Sequence, residues 1–129
     1  MIDYGSLSIR PADVRDATTL VAMIAELAAE EGMAGAMVAT AADLARAIDQ
    51  PYPACRFLMA EWDGRAAGYC ASYAGFSTFI GRATMFVEDV FVRPDHRGRG
   101  IGSALIAEVC RLALDANLER VEWRVQTIN

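Results

Sequence analysis

Apolar and polar positions along the chain alternate between blocks of period two and blocks of period 3.6, and that rhythm sets the elements. Leu7 to Arg10 reads as a short strand closed by Pro11. From Asp16 to about Glu31, Leu20, Ile24, Leu27 and Ala28 fall on one helical face with Val21 and Met23 beside it, and Gly32 ends the run. Gly32 to Val38 is a small-residue loop. Thr40 followed by Asp43 has the form of an N-cap with an acidic partner three residues on, starting a short helix over Leu44 to Ile48 that Pro51 excludes. Arg56 to Trp62 reads as a strand, Asp63-Gly64 as a tight turn and Ala66 to Tyr73 as the antiparallel partner. Gly75 to Gly81 is a connection, and Ala83 to Val92 the next strand. From Gly100 to about Ala116, Ile101, Leu105, Ile106, Val109, Leu112 and Ala113 make one helical stripe, and Arg120 to Val125 is a final strand. The predicted order is β-α-α-β-β-β-α-β, an α/β chain with no repeat and no interdomain linker, read as a single domain over residues 1–129.

One stretch carries chemistry. Val87 to Ile106 reads VEDVFVRPDHRGRGIGSALI: an apolar strand with Glu88 and Asp89 in its middle, a Pro94 turn, then Arg97-Gly98-Arg99-Gly100-Ile101-Gly102-Ser103 leading into a helix. Glycines at 98, 100 and 102 remove every second side chain, so backbone N–H groups can close on an anion, and the helix adds its positive dipole end. Arg97 and Arg99 supply delocalised charge suited to a pyrophosphate. A dinucleotide fingerprint would need its third glycine where Ser103 stands, and a P-loop would need Gly-Lys-Ser/Thr, which is absent.

The acidic pair is equally informative. Adjacent strand residues point to opposite faces, and flanking Phe86, Val87, Val90 and Phe91 imply a sheet covered on both sides. Two carboxylates there are costly unless a cleft or a bulge exposes them.

Length and composition bound the rest. With 129 residues, 54% apolar and 22% charged, the chain is globular and large enough for one core. No apolar run reaches the roughly 18 residues a membrane span needs, and the N-terminus lacks the order of a signal peptide, so no membrane and a cytoplasmic location are expected. Net charge −5 disfavours nucleic acid and fits a cationic partner. Cys55, Cys70 and Cys110 sit in apolar contexts without metal-ligand spacing and read as reduced packing residues; no metal is expected. His96, the only histidine, reads as an exposed turn residue.

Arg97-x-x-Gly100-x-Gly102 between an apolar strand and a helix resembles the acetyl-CoA motif of the GCN5-related N-acetyltransferases, and the wider string is most similar to their diamine and spermidine/spermine branch. IRPADVRDATTLVAMIAELAAEE resembles that branch's first strand and helix, including Glu30 and Glu31. The resemblance implies a mixed sheet with helices on both faces, and an N-acetyltransferase moving acetyl from acetyl-CoA to a small primary amine by direct attack. It implies that Arg97 to Ser103 hold the pyrophosphate, that Val90, Phe91 and Val92 meet the pantetheine arm, and that Asn129 contacts the coenzyme. It further implies Glu88 as substrate ligand and base, with Asp89 and Glu31 as substrate-binding helpers. Trp123 with Glu122 could line the cleft, and Phe79 stands where the branch tends to have tryptophan. The family continues past the position of Asn129 with a helix bearing a tyrosine acid and two more strands. The chain therefore reads as C-terminally short, with a homodimer or a longer natural product as the expected cover for its last strand; Tyr69 or Tyr73 could stand in for that acid. A CoA-binding assembly module, or transfer to a protein N-terminus or an aminoglycoside, are the alternatives.

Overall fold

The computed structural model describes residues 2–123, with side chains from Gly5 onward; Asn129 and the end of the predicted last strand lie outside those residues. The elements are β1 (Ile2–Tyr4), β2 (Leu7–Pro11), α1 (Ala17–Glu30), α2 (Ala41–Ile48), β3 (Arg56–Trp62), β4 (Arg65–Ser77), β5 (Arg82–Val92), α3 (Ile101–Asp115) and β6 (Val121–Trp123). The six strands form one sheet in sequence order. Every neighbouring pair is antiparallel except β5 and β6, which run parallel because α3 carries the chain back between them.

Side-chain alternation splits the core into two layers. Leu7, Ile9, Leu58, Cys70, Met85 and Val87 face α3 and pack on Ile101, Leu105, Val109 and Ala113. Met59, Tyr69, Ala71 and Phe91 face the other way, onto Leu20 and Met23 of α1, with Ile48 of α2 beside them. Local chemistry agrees with the element boundaries. Thr40 and Asp43 make the reciprocal capping box expected at the start of α2. Asp63 and Gly64 both have positive φ, 49° and 79°, as a two-residue hairpin turn requires. At the end of α1, Met33 N–H donates to Ala28 O and Gly32 N–H to Ala29 O with Gly32 left-handed, which stops the helix and fixes where Glu30 and Glu31 project.

Two expectations are corrected. Strand β1 was not predicted: three residues pair with β2 through a two-residue Gly5-Ser6 turn, and so short a run carries almost no periodicity of its own. The connection predicted over Gly75 to Gly81 is partly strand, because Gly75, Phe76 and Ser77 pair with Thr84, Ala83 and Arg82 and leave residues 78–81 as the turn.

Gly68 on β4 lies opposite Val92, where the two backbones approach so closely that a Cβ would stand 2.3 Å from the Phe91 carbonyl oxygen. Gly68→Ala is expected to lower unfolding free energy by about 1–3 kcal/mol in denaturant titration, since a backbone atom has to move to admit the methyl. An unchanged midpoint would mean that the strands separate without cost.

Candidate active site

The acid-bearing strand is irregular where its carboxylates sit. Ala71 pairs with Asp89 and Ser72 with Val87, so Glu88 is an extra residue with no partner on β4. Skipping it changes the parity of the strand: Val87 and Val90 both pack towards the α3 layer although they are three apart, and Asp89 turns to the α1 side, where it meets Tyr69. Glu88 itself is exposed.

Among the described residues, β5 pairs with β6 from Met85–Val121 to Val87–Trp123. Arg93 N–H donates to Ala67 O on β4, so by alternation the N–H and C=O of Val92, and those of Val90, point away from β4. The Val92 carbonyl confirms the direction, accepting from Arg97 Nε at 2.8 Å. Phe91 is turned the other way, its side chain buried on the α1 layer.

Beside this strand is a cleft of about 550 Å³ lined by Leu27 and Glu31 of α1, Val87 to Val90 of β5, Gly102, Ser103 and Ile106 of α3, and Trp123. Among the described residues, three of its groups are carboxylates, Glu31, Glu88 and Asp89, and none is basic. Burial pushes the Asp89 carboxyl above the ordinary range, partly offset by the hydrogen bond that Tyr69 donates to it.

The glycine-spaced loop forms the rim. After one tight turn over Pro94–His96, Gly98 and Gly100 adopt φ of 79° and 76°, a region L side chains resist, and a Cβ on either would point into open space. Helix α3 then begins with no side-chain cap and no acid in its first turn, and its first backbone bond is Ala104 N–H to Gly100 O. The amides of Ile101, Gly102 and Ser103 thus precede the helical ladder, as an anion seat requires.

Both arginines of the loop have protein partners. Arg97 donates to both oxygens of Glu30 at 2.6 and 2.8 Å and lies 5.8 Å from the Phe91 ring centre, tying the end of α1 to the loop. Arg99 stacks over Trp62 at 4.7 Å, beside a separate polar hollow that also contains Asp63, Arg65, Asp95 and His96. His96 is not the exposed turn residue expected: its side chain is 12% exposed and its ring lies 3.2 Å from Asp95. Glu30 as the partner of Arg97 and Trp62 as the partner of Arg99 were invisible in the sequence, where 67 and 37 residues separate them; only the topology brings them together.

The cysteines offer no nucleophile. Burial pushes the Cys70 thiol up to about 12 and that of Cys55 to about 11, with the charge of Asp89 adding to each, and Cys110 is half-buried. Neither tyrosine raised as a substitute acid lines the cleft: Tyr69 is fully buried, and Tyr73 packs on Phe86 with ring centres 5.2 Å apart. No group of metal-ligating side chains occurs among the described residues.

Solved acetyltransferases share this fold. An aminoglycoside acetyltransferase from an uncultured soil metagenomic sample superposes with TM-score 0.78 over 96% of this chain and 80% of its own, at 17% identity. A ribosomal-protein-alanine N-acetyltransferase from Brucella melitensis biovar Abortus 2308 gives 0.78 over 96% and 83%, at 21%. At such identities these matches define the fold. The chain belongs to the Acetyltransferase (GNAT) family, whose model matches residues 42–129. Among curated relatives, a thialysine N-epsilon-acetyltransferase of Caenorhabditis elegans is 33% identical over 84% of this chain and 66% of its own length. The Bos taurus enzyme of that name is 40% identical over 45% and 34%. A human spermidine/spermine N(1)-acetyltransferase-like protein 1 is 30% identical over 88% of this chain and 17% of its own. The match thus spans about a third of the bovine relative and two thirds of the nematode one. No described helix is long and apolar enough to cross a membrane.

Gly102 tests the anion seat. Its backbone is not left-handed and a Cβ would meet only Val92 Cγ2, at an ordinary 3.8 Å, so the protein itself has no need of glycine there. Gly102→Ala is expected to leave the thermal midpoint unchanged or slightly raised, as alanine suits a helix better, while acetyl-CoA affinity by calorimetry falls about tenfold or more. Unchanged affinity would remove the loop from coenzyme binding.

Proposed function

We propose that the protein transfers the acetyl group of acetyl-CoA to a primary amine of a small cationic molecule, by direct attack of the amine on the thioester. The observation that carries this reading is the cleft itself: among the described residues it has three carboxylates and no basic group, directly beside an open helix N-terminus. One end suits an anion, the other a cation.

The loop residues Gly98 to Ser103 hold the pyrophosphate with backbone amides, and Val90 and Val92 offer strand-like hydrogen bonds to the pantetheine arm. An alkylamine near the roughly 10.4 of a lysine is mostly protonated at neutral pH and has no lone pair until it loses that proton. Glu88, exposed on the bulge, accepts it directly or through water, and its charge helps draw the cation in. As nitrogen adds to the carbonyl, a strand amide of Val90 aimed at the developing oxyanion lowers the barrier. Asp89 and Glu31 bind the remaining positive charge of the acceptor, and Trp123 supplies an apolar wall. The names of the thialysine and spermidine/spermine relatives support a small aliphatic amine as acceptor.

Glu88→Gln keeps the shape and removes the base. Turnover is expected to fall about 10²- to 10⁴-fold, with the acetyl-CoA dissociation constant within about twofold of the parent. The assay is CoA release across a panel of linear diamines, aminoglycosides and peptide N-termini; the 129 residues include no lysine, so no side-chain amine of the protein competes. Equal loss of binding and turnover, or of neither, would exclude Glu88 as base. Coenzyme binding without amine-stimulated release by the parent would favour a binding module.

A further inference from the structure

The α1 side of the sheet is apolar around a single hydroxyl. Tyr69 is 0% exposed among Leu20, Met23, Met59 and Phe91, with its ring centre 6.1 Å from that of Phe91. A phenylalanine would supply the same ring, and burying the extra hydroxyl costs free energy unless it is bonded. Its side-chain hydrogen bond among the described residues is to Asp89 Oδ2, at 3.0 Å. Tyr69 pairs with Phe91 across β4 and β5, so Asp89, two residues before Phe91, is its diagonal neighbour on the same face. Asp89 is half-buried, lines the cleft, and has no arginine or histidine partner among the described residues.

We propose that Tyr69 is a positioning residue of the acceptor site, its hydroxyl donated through the sheet to fix the Asp89 carboxylate as an anchor for the acceptor's ammonium group. This rests on reading the cleft as an amine site. Tyr69 does not touch the cleft, and burial together with the charge of Asp89 holds its own proton far above the ordinary tyrosine range, so it acts as a donor and not as an acid. The other titratable groups around Asp89 are Glu88 beside it on β5, Glu31 at the end of α1, Cys70 on β4 and Cys55 before β3; the thiols are held neutral. Against burial, the Tyr69 hydroxyl is the group that favours the charged carboxylate. Without it Asp89 protonates at higher pH, and the anchor loses its charge sooner as pH falls.

The test compares Tyr69→Phe with the parent chain by carbon-13 carboxyl titration, the Asp89 signal being assigned through Asp89→Asn. The Asp89 midpoint is expected to rise by about one pH unit. With 1,4-diaminobutane as probe acceptor, KM is expected to rise about fivefold below that midpoint and to converge with the parent above it, while kcat at saturation stays within about twofold. In an Asp89→Asn background, Tyr69→Phe should change KM no further. An unmoved Asp89 titration, a KM increase equal at all pH values, or a further loss in the Asn background would reduce Tyr69 to packing. A shifted titration in a protein that transfers no acetyl group would keep the positioning role and sink the transferase reading; transfer with an unmoved titration would do the reverse.

Discussion

Asp89 pairs with Ala71 and Val87 with Ser72, and the layout of the whole cleft follows from the residue skipped between them. A regular strand would place Val87 and Asp89 on one face and Glu88 on the other, sending a carboxylate into each apolar layer. With one residue left over, Val87 and Val90 both reach the α3 core, Asp89 finds the Tyr69 hydroxyl, and Glu88 is left exposed. A bulge also bends and twists its strand.

The two halves of the cleft are electrostatically opposite and mechanically joined. On one side three amides and the positive end of α3 stand uncapped. On the other, Glu30 and Glu31 occupy the last turn of α1, the negative end of that helix, where acidic residues are locally unfavourable. The Glu30–Arg97 pair offsets part of that cost and fastens the helix end to the loop. Both side chains are about half exposed, so the pair contributes at most about 1 kcal/mol in water. Its geometric consequence is larger, because Glu31, the next residue, is thereby set at the cleft.

Much of this was legible in the chain. The glycine spacing with its flanking strand and helix located the loop, and the cost of two carboxylates in a doubly covered strand pointed to a bulge or a cleft; both are present. The capping box at Thr40 and the Asp63-Gly64 turn were readable because their partners are within three residues. What was hidden depended on distance in sequence. Gly68 looks like any strand glycine until β5 is laid against it, and Tyr69 like any core tyrosine until the bulge turns Asp89 towards it. Arg97 and Arg99 were read as anion ligands from their charge and the motif, and the partners that the fold gives each, Glu30 and Trp62, could not be read there.

The distribution of ion pairs adds an argument about what the cleft is for. Elsewhere arginine meets acid wherever the fold allows: Arg10 with Asp16 and Glu61, Arg93 with Glu26, Arg111 with Glu108 and Asp115. Yet among the described residues none of Glu31, Glu88 and Asp89 has an arginine partner, although together they line one cavity. Carboxylates gathered at one cleft favour an external cation there. On the reading proposed above that cation is the acceptor, and the uncapped amides of α3 are the complementary seat for the coenzyme.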